Sequence, residues 1–144
     1  MFEYFFSIVI AMLLGMLLGV ERTIAHKTAG LRTYGLVAMG SCLFVVIAQA
    51  VGDTLAPVAA TDLMRVVAGI VTGIGFLGAG IIIVRDQTLT GLTTAAGLWL
   101  ASGIGIAVGF GLYAIAIFAT VLTLLTFTIF WFIERRVAGI VDNN

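Results

Sequence analysis

Apolar side chains run along this chain in five long blocks, Tyr4–Val20, Thr33–Val51, Leu63–Val84, Leu92–Val108 and Phe110–Ile133, and polar residues gather between them. Each block meets the roughly 17–25 mostly apolar residues that a helix needs to cross the hydrocarbon of a bilayer. The pattern predicts an all-α fold, a polytopic membrane bundle of about five transmembrane helices. Between the blocks lie the polar stretch Glu21–Arg32, the segment Gly52–Asp62 with the only proline, Pro57, a link Arg85–Gly91, a glycine turn at Gly109 and a tail Glu134–Asn144. No soluble domain fits in any of them, so residues 1–144 read as a single transmembrane domain. The first block lacks a basic leader and a small-residue cleavage site, and is expected to be a retained helix.

Within such spans small residues set how closely helices approach, because lipid provides no hydrophobic drive for association. Gly15 and Gly19 in the first block, Gly69 and Gly73 in the third, and Gly97, Ala101, Gly105 and Gly109 in the fourth recur four apart and predict close-packed seams. In the fifth block Thr120, Thr123 and Thr126 recur at helical spacing. Their hydroxyls are expected to bond back to their own helix more readily than across to a partner.

Charge then orients the bundle. Arg22, Lys27, Arg32, Arg85, Arg135 and Arg136 all fall in the first link, the third link or the tail, and the links of opposite side carry none. Basic residues resist translocation, so the N-terminus is expected outside and the C-terminus in the cytoplasm. Arg65, just inside the third span on the outer side, is a functional candidate.

Composition agrees with a bilayer as solvent. The 144 residues are 62% hydrophobic and 10% charged, with formal net charge zero, and the mean hydropathy is +1.24. Seven basic and seven acidic side chains cannot cover a water-facing exterior. Nothing basic enough to bind nucleic acid is present. The one cysteine, Cys42, excludes an intrachain disulfide and a paired-cysteine metal motif.

Candidate chemistry is sparse. Gly73-Ile-Gly75-Phe76-Leu77-Gly78 has the spacing of a dinucleotide fingerprint, but it lies inside an apolar span where the required strand-to-helix turn is absent. These glycines, with Gly80, read as close packing first and as a locally unwound, site-lining helix second. His26 has no cysteine or second histidine near it and reads as a solvated loop residue. Asp62 and Arg65, three apart, face one another along one side of the third helix, with Thr61 placed to cap it. Glu21, Arg22, Arg32, Arg85 and Asp86 gather by topology at the cytoplasmic face beside Gly30, Thr33 and Gly91-Leu92-Thr93-Thr94. There they form either an ion-pair network or a set of headgroup anchors. The acids near enough to hold a divalent cation are Glu21, Asp53, Asp62 and Asp86, with Asp62 and Glu21 the weak candidates. No nucleophile and base pair can be named, so an enzyme is not expected.

Five blocks in register resemble the signature of the MgtC/SapB family of membrane proteins: Gly15-x-x-x-Gly19-Val-Glu21-Arg22; Ala29-Gly30-Leu31-Arg32-Thr33; Asp62-x-x-Arg65; Gly73-Ile-Gly75-Phe76-Leu77-Gly78-Ala79-Gly80; and Gly91-Leu92-Thr93-Thr94-Ala95-Ala96-x-x-Trp99. The resemblance implies a multi-pass protein of the bacterial inner membrane connected with magnesium homeostasis and, in some pathogens, with survival inside macrophages. It also implies a regulatory role at least as much as a transporting one, through contacts with other inner-membrane proteins, the proton-driven ATP synthase among them. Magnesium is the implied ligand or substrate. Well-studied relatives carry a soluble domain after the last helix, whereas this chain ends eleven residues past Ile133, the expectation being a short form. Two functions follow: a regulator or accessory acting through helix contacts, or a small ion transporter or channel. Either is expected to work as a homo-oligomer, and a dimer first.

Overall fold

The computed structural model describes residues 2–54, 60–85 and 88–141. Five helices follow one another: α1 (Phe2–Ile24), α2 (Leu31–Thr54), α3 (Ala60–Ile81), α4 (Leu92–Gly109) and α5 (Tyr113–Val141). All five are long and apolar enough to cross a membrane, and the chain is a multi-pass membrane protein. Large apolar side chains such as Phe5, Leu13, Phe118 and Phe130 point outward, as they must where the solvent is hydrocarbon.

The core is built around α4. Of its membrane span 56% is buried inside the bundle, against 6% for α3. Glycine explains how α1, α2 and α4 come so close. A Cβ built on Gly15 would lie 2.5 Å from the Tyr34 carbonyl oxygen and 2.7 Å from the Ala38 Cβ, and one on Gly19 2.5 Å from the Leu31 Cα. On α4, a Cβ at Gly105 would run into the Ala38 backbone and one at Gly109 would meet the Val45 Cβ at 2.7 Å. The predicted seams of the first and fourth blocks therefore both close on α2. Midway along the α2–α4 seam, buried Ser41 and Ser102 share a hydrogen bond of 2.9 Å, so two hydroxyls that lipid would leave unpaired satisfy one another. On α5, Thr120, Thr123 and Thr126 donate to the carbonyls of Ala116, Ala119 and Leu122, the expected back-bonding.

Two helix ends are closed in the same way. After α1, the Lys27 N–H donates to the Arg22 carbonyl at 2.9 Å and the His26 N–H to Thr23 at 3.1 Å. After α4, Leu112 donates to Ala107 and Gly111 to Val108. Both are Schellman closures, which need a left-handed residue just past the helix. Gly111 supplies it at φ 74°, and His26 does so at φ 54°. The solvated loop histidine is thus also a helix terminator.

Four expectations are corrected here. The third helix stops at Ile81, and its expected last residues form strand β1 (Ile83–Arg85), paired antiparallel with β2 (Thr88–Thr90) in the register Ile83 to Thr90, Val84 to Leu89 and Arg85 to Thr88. The run Ile81-Ile82-Ile83-Val84 is all β-branched, which favours extended backbone over helix. The turn expected at Gly109 lies at Gly111, because Gly109 is needed inside the seam. Thr61 does not cap α3, since the helix already includes Ala60. Finally α3 is continuous, not unwound, and a Cβ at Gly69, Gly73, Gly75 or Gly80 would meet nothing within 4 Å. Within this chain those four glycines make no seam; of the α3 glycines Gly78 alone is buried, and a Cβ built on it would lie 3.6 Å from the Ala95 Cβ.

A buried arginine at one end of the bundle

Arg22 stands in the last turn of α1 and is 2% exposed. A charge held that deep at a membrane boundary must be compensated. Its Nε is paired with the Glu21 carboxylate, the one ion pair among the described residues. Its guanidinium Cζ lies over the Phe127 ring of α5, 3.7 Å from the ring centroid, adding attraction between cation and aromatic face. Beneath it Tyr34 of α2, fully buried, donates to the Thr94 carbonyl of α4 at 3.4 Å. Gly97 makes room for this: a Cβ there would overlap the Tyr34 hydroxyl and sit 2.7 Å from Phe127. Four helices thus converge on one polar cluster, with α3 outside it.

Thr23 fastens the same end. Its hydroxyl donates to the Gly19 carbonyl at 2.9 Å and accepts from the Leu31 N–H at 3.1 Å, so a side chain of α1 satisfies the first free donor of α2. A Cβ on Gly30 would collide with that hydroxyl, which accounts for glycine there. Gly91 opens α4 at φ 90°, where a Cβ would strike the Ile81 carbonyl. It offers α4 no side-chain cap. Between these elements lies an open cleft of 540 Å³, bordered by Arg22, Lys27, the α4 start with Thr93 and Thr94, and Phe130 and Trp131.

The expected cytoplasmic network forms only in part. Glu21, Arg22, Gly91, Thr93 and Thr94 come together, but Arg32 is exposed and lines a separate cleft with Gly30 and Thr33. The Arg85 side chain and all of Asp86 lie outside the described residues, as does the Asp53 side chain. Asp62 and Arg65 are both exposed and make no ion pair with each other. Asp62 lies in the first turn of α3, at the opposite end of the bundle from Glu21, so the two weak metal candidates cannot share an ion. No group of three or more His, Cys, Asp or Glu occurs among the described residues. Phe76 (80%) and Trp99 (53%) face outward. Sequence reasoning passed over Tyr34, Thr23 and Phe127; only the threonines that share the fifth block with Phe127 hinted at a packed face there.

No solved structure matches the chain. Among curated proteins it is 40% identical to YhiD of Escherichia coli (strain K12) over 130 residues, 89% of this chain and 60% of YhiD. It is 40% identical to SrpB of Synechococcus elongatus over 139 residues, 90% of this chain and 76% of SrpB. Identity to the protein MgtC of Brucella abortus is 46% over 111 residues, 77% of this chain and 44% of that protein. The chain therefore spans about three fifths of YhiD and less than half of the Brucella protein. The family model described as the MgtC family matches residues 8–136, a stretch that includes part or all of each of the five helices, and this chain belongs to the MgtC family.

Proposed function

We propose that this protein is a non-enzymatic accessory of magnesium homeostasis in the bacterial inner membrane, working through helix contacts made by α3, with a second copy of itself or with other membrane proteins. The observation that carries this reading is the open face of α3. Gly69, Gly73 and Gly80 recur at spacings of four and seven with nothing against them, and a groove of 620 Å³ runs between α3 and α2 past Gly40, Gly69 and Gly73. In lipid such a face admits a partner helix to near backbone contact. Magnesium enters through the family and through YhiD, whose name proposes magnesium transport. The bias of basic residues supports a cytoplasmic position for the Arg22 end.

Magnesium flux into liposomes holding only the purified protein tests the reading. No flux is expected from folded, correctly inserted protein, together with loss of crosslinked dimer or captured membrane partner, and of growth at low magnesium, in Gly73→Leu. Flux that Asp62→Asn abolishes would instead establish the transporter reading.

A further inference from the structure

We propose that the cleft beside Arg22 is a binding site for a phosphate group, and that the group belongs to an anionic phospholipid headgroup. Three features of the cleft point to an oxyanion. The guanidinium carries five N–H donors, of which the Nε donor is taken by Glu21. The terminal nitrogens have no acceptor among the described residues, although the side chain is almost wholly buried and borders the cleft. Thr94 is equally telling. It is 4% exposed, and its hydroxyl makes no hydrogen bond among the described residues. By contrast Thr72, Thr120, Thr123, Thr126 and Thr128 each donate to the carbonyl four residues back. For Thr94 that position is Thr90, in β2 and outside the helix, so its hydroxyl is left for whatever enters the cleft. The third feature is the start of α4, whose first N–H groups receive no side-chain cap from Gly91. Free donors at a helix start favour anions.

Charge and depth select the ligand. Arg22 and Lys27 set against Glu21 leave one net positive charge on the charged side chains at the cleft, with the positive helix end added to it. The cleft sits where α1 and α4 reach the membrane boundary, and Leu92, Phe130 and Trp131 form an apolar wall beside the donors. A soluble anion would use the donors alone; a phospholipid uses donors and wall together. The assignment does not rest on the magnesium reading.

Trp131 borders the cleft and gives the readout. Purified full-length protein in neutral detergent is titrated with short-chain phosphatidylglycerol, with the matching diacylglycerol, and with inorganic phosphate, and tryptophan fluorescence is followed. Saturable binding of phosphatidylglycerol is expected, with none of diacylglycerol. Thr94→Val, which keeps shape and removes the hydroxyl, is expected to weaken binding roughly tenfold, the loss typical of one hydrogen bond to a charged group. Lys27→Gln, at an exposed position, is expected to weaken it about threefold. Binding of inorganic phosphate with the same sensitivity to both variants would keep the phosphate site and make its source soluble. Equal binding of diacylglycerol, no binding in any arm, or phosphatidylglycerol affinity unchanged in both variants would overturn the proposal.

Discussion

Two helices of this bundle are about equally rich in glycine and are used in opposite ways. In α4, Gly97, Gly105 and Gly109 are buried, and each is filled by α2 or α5 to the point where a methyl group has no room. In α3, Gly69, Gly73, Gly75 and Gly80 look onto open space. The residue type is the same, the spacing is similar, and the neighbours differ. A glycine stripe therefore reports only that a helix can be approached closely; the packing inside one chain decides whether the chain itself does so. Where it does not, the stripe is available to another molecule.

Substitutions at matched positions put that contrast under strain. Gly105→Leu drives a side chain into the Ala38 backbone, and is expected to cost more than about 3 kcal/mol or to prevent folding, read as lost monodisperse protein in detergent. Gly73→Leu is the counterpart, and a comparable loss of stability there would erase the distinction. Arg22→Met removes the cation from the polar cluster and leaves Glu21 without its partner. With Glu21 partly exposed the expected loss is about 2 kcal/mol by thermal unfolding. His26→Gly acts outside either helix and calibrates the scale. It relieves a left-handed backbone at φ 54° and is expected to raise stability by up to about 1 kcal/mol. A smaller effect belongs to the seam itself: a double-mutant cycle over Ser41→Ala and Ser102→Ala should give a coupling of about 0.6 kcal/mol. On α3, Gly73→Leu should change stability by no more than about 0.5 kcal/mol, while altering crosslinking yield.

The five spans were legible because each is a long apolar run bounded by polar residues, and the seams of α1 and α4 were legible because small residues recur every four positions. Other features were not, for definable reasons. Ile82-Ile83-Val84 continues the apolar run of α3, and a short run cannot be told apart as helix or strand by periodicity; the pairing with Thr88–Thr90 is a non-local fact. The spacing on α3 predicts an internal seam, because spacing carries no information on what lies opposite. At the site, Arg22 and Glu21 stood out by charge and Gly91, Thr93 and Thr94 by position. Phe127 and Tyr34 did not, since an aromatic residue in a span looks the same in sequence whether it faces lipid or a guanidinium. Topology groups Arg32 with Arg22, but ten positions and a helix end separate them, and they open onto different clefts.

The hydroxyl of Thr23 has a consequence for biosynthesis. Because it joins the end of α1 to the start of α2, and Gly15 and Gly19 already fit against α2, the first two helices contain most of what they need to pair. They are expected to enter the bilayer together as a helical hairpin while the remainder is still being made. The third helix packs more on α4 than on α2, so it is expected to be held only once α4 has followed it. Its open glycines are then expected to face the membrane during synthesis, so that the nascent chain presents that face to its surroundings before the bundle is complete.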